Sequence, residues 1–299
     1  MFKQVFFLAL MFFSDNVWAQ SNRVLKQKIE AAVLGKKAIV GVSIAGNDGK
    51  DTLSLNGNHR FPLQSVFKFH IALMVLDRVD HGKLSLDQKI QIQKKDLLPG
   101  LYSPLREQYP AGASLPVSRI LEYMVCESDN VACDVLLKWV GGPSAVENYF
   151  RKKGFNNLAI KTNEEMQQAD WDLQFQNFTT PKAATEVLMR FYYNQPSLLS
   201  KKSYDLIWQL MKKVSTGSNR LKAGLPQNSS LAHKTGSSGT NKEGLTAAVN
   251  DIGIVFLPGG RYFFISVFVT DSHESLATNE KIIADIANAA SDFFNQKVK

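Results

Sequence analysis

The spacing of apolar positions divides the chain into helical and extended stretches. Between Arg23 and Leu34, residues Leu25, Ile29, Ala32 and Val33 fall on one helical face, and Gly35 is a stop signal. Ile39 to Ala45 is β-rich, Asn47-Asp48-Gly49-Lys50 is a hairpin signal, and Thr52 to Leu55 alternates on the way back. The next stretch has another character. Phe69, Ile71, Ala72, Leu73, Met74, Val75, Leu76 and Val79 make it apolar nearly all round, which predicts a helix buried in the middle of a domain and stopped at Gly82. Ser65 stands at the first turn of that helix, and Lys68 lies one turn on along the same face.

From there to about Met211 the period stays helical. Pro116 to Val125 and Ala132 to Val140 form two helices, and Ser144-Ala145-Val146-Glu147 reads as a capping box opening a third, closed by Gly154. Thr180-Pro181 supplies an N-cap and a first-turn proline for a fourth, and Ser200 caps a fifth. Ile160 to Thr179 interrupts the run with a polar stretch rich in Glu, Gln and Asn, and a loop that long inside a compact region is commonly functional. The tail returns to strands at Ser230 to Lys234, Ala247 to Leu257 and Tyr262 to Thr270, with a turn at Pro258-Gly259-Gly260, and closes on a helix from about Ser275 to Phe294. Elements in this order imply an α/β (α+β) fold: one antiparallel sheet built from both chain ends, flanked by helices, with an all-helical domain inserted. The expected division is a discontinuous α/β domain (20–63 and 212–299), a helical domain (64–211) and a site between them.

Composition alters this picture at the N-terminus. Lys3, the short apolar run Val5 to Phe13 and Val17-Trp18-Ala19 before Gln20 read as a cleavable signal peptide over residues 1–19, too short for a membrane span. No later stretch is long and apolar enough to span a bilayer, so an exported soluble protein is expected. The net charge is +8, and Lys3 and Asp15 cancel within the leader. The basic pairs, such as Lys36-Lys37 and Lys152-Lys153, are scattered without aromatic interleaving, which argues for a basic solvated surface rather than nucleic-acid binding. Cys126 and Cys133 each sit in an apolar helical pattern that favours buried free thiols, and the five histidines show no paired ligand spacing, so no metal is expected.

Candidate chemistry gathers at boundaries between these elements. Unpaired N–H groups at a helix start favour negative charge, and an ammonium beside a serine there can help take its proton. Ser65-x-x-Lys68 meets that description. Ser128-Asp129-Asn130 occupies the break between two helices, Lys234-Thr235-Gly236 ends a strand where Gly236 leaves room for a ligand, and Glu164 lies in the long polar loop. Each has a bland explanation alone, as a cap, a strand end or a solvated acid. Together, in this order, they do not.

The set Ser-x-x-Lys, Ser-Asp-Asn and Lys-Thr-Gly with a Glu loop resembles the class A serine β-lactamases over essentially the whole mature chain. Thr162-Asn163-Glu164-Glu165 and Ser215 to Arg220 are similar to the PER/VEB-type extended-spectrum branch. The resemblance implies a serine β-lactamase/penicillin-binding transpeptidase-like fold, no cofactor, β-lactam substrates, a periplasmic location and a monomer. It implies Ser65 as nucleophile, with Lys68 and Glu164 both candidates for the acylation base and Glu164 activating the deacylating water. It implies an oxyanion hole from the N–H groups of Ser65 and Ser237, and Ser128, tuned by Lys234, as proton donor to the leaving nitrogen. Asn130 would hold the acylamide, and Lys234, Thr235, Gly236, Ser237, Ser238 and Arg220 would line the carboxylate side, with Tyr102 as a wall.

Two departures from the family pattern bear on the loop, and a third, at Ser238, points the same way. Gln167 and Gln168 replace the usual Leu-Asn, leaving Gln168 as the candidate for holding the water. Thr162 and Asn177 stand where an Arg–Asp pair is usual, and losing both charges together leaves neither unpaired. Ser238 replaces a Gly of narrow-spectrum relatives. A differently held loop and a wider cleft accepting oxyimino-cephalosporins are expected. Strong carbapenem hydrolysis is not, because Gln64 precedes the nucleophile where the disulfide-linked carbapenemases carry Cys. A D,D-peptidase, a β-lactam sensor and a non-enzymatic protein with coincidental motifs are the alternatives, and Glu164 separates them.

Overall fold

The computed structural model describes residues 22–47, 49 and 52–296; the expected signal segment and Asp48 and Lys50 of the expected hairpin turn lie outside them. Helix α1 covers residues 22–33. Strands β1 (Ile39–Gly46), β2 (Thr52–Leu55) and β3 (Phe61–Pro62) follow, and a 3-10 turn at Gln64–Val66 leads into α2 (Phe67–Asp80). Next come β4 (Lys89–Ile92), α3 (Pro104–Gln108), β5 (Ala113–Pro116), α4 (Val117–Cys126), α5 (Asn130–Trp139), α6 (Pro143–Lys152) and β6 (Leu158–Ala159). The chain continues through α7 (Glu164–Ala169), β7 (Phe178–Thr179), α8 (Pro181–Tyr193) and α9 (Lys201–Lys212). It ends with β8 (Ser230–Ser237), β9 (Val249–Phe256), β10 (Tyr262–Thr270) and α10 (Leu276–Gln296).

The main sheet has the order β2-β1-β10-β9-β8 and every pair in it is antiparallel. Ile39 pairs with Thr270, so the first and last strands are neighbours and the sheet is built from both chain ends, as expected. Layers cover both faces. Phe263, Ile265 and Val267 of β10 join Leu25 and Ile29 of α1 and Ile282, Ile283 and Ile286 of α10 in one core. Phe264 and Phe268 join the larger core, with α2, α4, α5 and α8. A strand buried on both faces has no reason to alternate, which is why Tyr262 to Thr270 reads as a nearly continuous apolar run.

Helix α2 occupies the middle of the larger core, and all ten residues from Phe67 to Leu76 are buried. Lys68 and His70 are among them, so an ionisable group in the core needs partners or must lose its charge. Two expectations require correction. The interval 64–211 is not wholly helical, since β4 pairs with β5 and β6 pairs with β7 inside it. The alternation of Lys89-Ile90-Gln91-Ile92, exposed then buried, carries that signal, but four residues are outweighed by helical surroundings. At α6, Gly142 is the N-cap and Pro143 the first helical residue, so Ser144 caps nothing. Proline's fixed φ suits that first position and sets the start two residues early. Cys126 and Cys133 are both buried free thiols. No helix among the described residues is long and apolar enough to cross a membrane.

Candidate active site

The nucleophile turn is gripped from two sides. Gln64 holds a left-handed backbone (φ 46°), a conformation costly for a side chain with Cβ and kept where surroundings enforce it. Its buried amide donates to Gln174 Oε1 at 2.6 Å, tying the turn to the loop after α7. On the other side, β8 passes so closely that a Cβ on Gly236 would stand 2.7 Å from Leu63 O and 3.3 Å from Ser65 N. Asn250 Nδ2 also donates to Pro62 O at 2.8 Å and Leu63 O at 3.2 Å.

Lys68 is the hub. Its ammonium contacts Ser65 Oγ at 2.7 Å, Ser128 O at 2.9 Å and Asn130 Oδ1 at 2.5 Å, and it lies 2.7 Å from Glu164 Oε1. A lysine has three N–H bonds. Four acceptors therefore share them, with Glu164 Oε1 supplying the opposite charge at 2.7 Å.

Ser128 sits in the break between α4 and α5 with φ 60°. Asp129 enforces that turn: its carboxylate accepts from Ser103 Oγ, from Leu105 N at 2.7 Å and from Ala132 N at 2.8 Å. Ser128 Oγ in turn accepts from Lys234 Nζ at 2.9 Å. Lys234 is fully buried; burial first, and the nearby Lys68 cation second, pull its pKa down to about 7. Asn130 N donates to Tyr102 O, and the Tyr102 side chain stands more than half exposed at the rim.

At the end of β8, Arg220 is buried and donates to Gly236 O and Asn250 O at 3.0 Å each and to Ser237 Oγ at 2.6 Å, with Glu280 as its ion-pair partner. Thr235 Oγ1 meets Thr216 Oγ1 at 2.6 Å. Ser237 is exposed, and Ser238 turns its hydroxyl back onto Gly239 O at 2.6 Å and Ala248 N at 2.9 Å.

The Glu164 loop is not structureless. It contains α7, capped by Asn163, and a 3-10 turn over Trp171–Gln176, capped by Asp170. Thr162 and Asn177, the uncharged pair, are both fully buried. Asn177 Oδ1 accepts from Lys161 N at 2.7 Å and Thr162 N at 3.0 Å, while its Nδ2 donates to Thr162 O at 2.9 Å. One amide thus closes the neck of the loop with no buried charge. Asp134 of α5, which sequence reasoning missed, accepts the N–H groups of Glu164 at 2.9 Å and Glu165 at 3.0 Å. Burial first, and the Glu164 charge second, raise its pKa to about 7.

The structure therefore brings Ser65, Lys68, Ser128, Asn130, Glu164 and Lys234 into one contact network, with Arg220, Thr235, Gly236 and Ser237 beside it. Gln168 is not among them: it is exposed and turns to Pro99 O at 3.5 Å, against Gly100. Besides Asp134, the reading of the sequence passed over Gln174, Asn250 and Glu280, and gave Thr216, inside the Ser215 to Arg220 stretch, no role. Gln174, Asn250 and Glu280 lie in no recognisable motif; Asn250 and Asp251, polar and adjacent inside an apolar strand, were the visible signal.

A fold of this kind with serine, lysine and glutamate converging between sheet and helices defines a serine acyl-transfer enzyme, and comparison with known proteins says which. A family model described as "Beta-lactamase enzyme family" matches residues 23–294, and the chain belongs to that family. Beta-lactamase VEB-1 of Pseudomonas aeruginosa is 46% identical over 99% of this chain and 99% of its own. Extended-spectrum beta-lactamase PER-1 of the same organism is 43% identical over 97% of this chain and 94% of its own. The crystal structure of a class A beta-lactamase from Bacteroides cellulosilyticus superposes with a TM-score of 0.88 at 35% identity, covering 92% of this chain and 99% of that one. The chain is a class A β-lactamase and hydrolyses β-lactams.

Proposed function

We propose that Ser65 is the acylating nucleophile and that hydrolysis proceeds through an acyl-enzyme cleared by Glu164-activated water. One observation carries the assignment: the Lys68 ammonium touches Ser65 Oγ, Ser128, Asn130 and Glu164 at once. In acylation, Ser65 Oγ attacks the lactam carbonyl carbon, and its proton leaves by way of Lys68 or Glu164. The backbone N–H groups of Ser65 and Ser237 stabilise the oxyanion. The lactam C–N bond breaks as Ser128 protonates the nitrogen, and Lys234, poised near neutrality, resupplies the Ser128 proton. Arg220, Thr235, Ser237 and Lys234 form the carboxylate side, Asn130 takes the acylamide, and Tyr102 walls the mouth. Gly236 serves by letting β8 approach the nucleophile.

The site then lies between an α/β unit (20–63 and 212–299) and the 64–211 unit. Support for oxyimino-cephalosporins as substrates comes from the extended-spectrum relative and from a loop neck without an Arg–Asp pair. The N-terminal leader pattern supports export to the periplasm; a monomer is the default reading.

The test is turnover of nitrocefin and a bulky oxyimino-cephalosporin with intact-mass detection, for wild type and Glu164→Gln. The expected result is fast turnover of both by wild type and a stable adduct on Ser65 in the variant. Persistence of the adduct on the wild type would instead identify a penicillin-binding peptidase or sensor, and turnover of penicillins alone would remove the oxyimino assignment.

A further inference from the structure

Buried polar atoms almost always have partners, so those that lack one point to something. Among the described residues, the side-chain atoms buried without a protein hydrogen bond are His70 Nε2, Trp208 Nε1, Ser229 Oγ, Asn250 Oδ1, Glu164 Oε1, and Gln167 Oε1 and Nε2. Four are scattered singly. Three lie on α7, one helical turn apart, where positions i and i+3 share a face. Glu164 Oε1 is 2.7 Å from the Lys68 ammonium, and a carboxylate oxygen has room to accept from a second donor. Gln167 contributes a donor and an acceptor. A buried water needs two to four such partners, and an acceptor and an amide on one helical face supply three.

We propose that the Gln167 side-chain amide, not that of Gln168, positions the water that Glu164 activates for deacylation. This rests on the Glu164 reading above. Gln168 is engaged elsewhere, against Pro99 and Gly100. In the step itself the water oxygen attacks the ester carbon while one water proton passes to the Glu164 carboxylate. The bond from carbon to Ser65 Oγ then breaks, Oγ regains that proton, and the product leaves as the acid. Gln167 holds the water's remaining hydrogen or lone pair throughout and is a positioning residue.

The experiment measures acylation and deacylation separately by stopped-flow and time-resolved intact mass, with thermal melts, for Gln167→Met, Gln168→Ala and Glu164→Gln. Methionine keeps the length of Gln167 and exchanges an amide whose one partner would be the water for an apolar chain of similar shape, a change close to neutral for stability. The expected result for Gln167→Met is deacylation about 10-fold slower, acylation within about twofold of wild type, and an unchanged or higher Tm. Gln168→Ala is expected to slow deacylation less. Wild-type deacylation in Gln167→Met, or a larger effect from Gln168→Ala, would overturn the assignment. A lowered Tm with both steps slowed together would mean a loop-holding role and would overturn it as well. Glu164→Gln clearing its adduct at the wild-type rate would remove the Glu164 reading itself; a trapped Glu164→Gln beside an unaffected Gln167→Met would remove only the Gln167 role.

Discussion

The two halves of the site are built from different materials. Ser65 stands on the 3-10 turn before α2, Lys68 on α2, Ser128 in the α4–α5 break and Lys234 on β8, which pairs with β9 along its whole length. Glu164 stands on a helix of six residues, fixed by Asp134, by Asn177 at the neck and by the Gln64–Gln174 contact. The first half is held by regular ladders and close packing, the second by a handful of side-chain hydrogen bonds. Lys68 bridges them. Acylation and deacylation should therefore be separable by mutation, with damage to the scaffold falling on the first and damage to the loop on the second.

The strongest way to break that separation is Gly236→Ala. The added Cβ meets backbone atoms, Leu63 O and Ser65 N, which cannot rotate aside. Strand or turn must shift, and a displacement approaching 1 Å at a nucleophile costs about 100-fold. Acylation, followed by the appearance of adduct on Ser65, is expected to slow by that factor. If deacylation alone slows, the scaffold half is not what aligns Ser65.

Asn177→Ala tests the loop half and is expected to do less. It removes three hydrogen bonds at a fully buried position and leaves two N–H groups and a carbonyl to find other partners. A stability loss of about 2 kcal/mol is expected, seen as a lowered Tm. Deacylation is expected to fall about 10-fold, the equivalent of one to two of those bonds, with an acyl-enzyme burst appearing in the progress curve. An equal fall in acylation would show that the two halves are mechanically one.

The same division explains what could be read from the sequence. The scaffold half was legible because its determinants are local or periodic. The all-round apolar pattern from Phe69 to Val79 predicted a buried helix, the β-rich stretches at both ends predicted a shared sheet, and the three short motifs fell at element boundaries. The loop half was legible only as a polar interval carrying Glu164. Its holding residues are single amides and carboxylates distant in sequence: Asn177 is 15 residues from Thr162, Asp134 is 30 from Glu164, and Gln174 is 110 from Gln64. No period or propensity announces such pairs. The turn of Gln168 toward Pro99 O was out of reach for the same reason, since spacing gives a residue's rank in a motif but not which way an exposed amide points. The missed β4 and β5 failed differently, through shortness, and the misassigned capping box failed because Pro143 outcompeted Ser144 for the start of α6.

The smallest expected effect on catalysis comes from His70, yet it sharpens the comparison through pH. His70 lies two residues beyond Lys68, edge-on to Phe150 with ring centroids 4.9 Å apart, and burial pushes its pKa from 6.5 down to about 4. Between those values the unfolded chain binds a proton that the native core refuses. The histidine's contribution to stability is therefore complete above pH 6.5 and is lost as pH falls toward 4, amounting to about 2 kcal/mol at pH 5. Asp134 in the loop half runs the other way. Its pKa is raised from 3.8 to about 7, so the native state holds the extra proton and this group's contribution declines as pH rises through that range. Acid should thus strain the scaffold half through α2 while easing the burial of Asp134. His70→Leu replaces the imidazole with an apolar side chain in an apolar setting, and turnover at pH 7 is expected within about twofold of wild type. Melts at pH 7 and pH 5 are the measurement: the variant is expected to be more stable than wild type by about 2 kcal/mol at pH 5 and by much less at pH 7. An unchanged difference between the two pH values would place the acid-sensitive group outside α2.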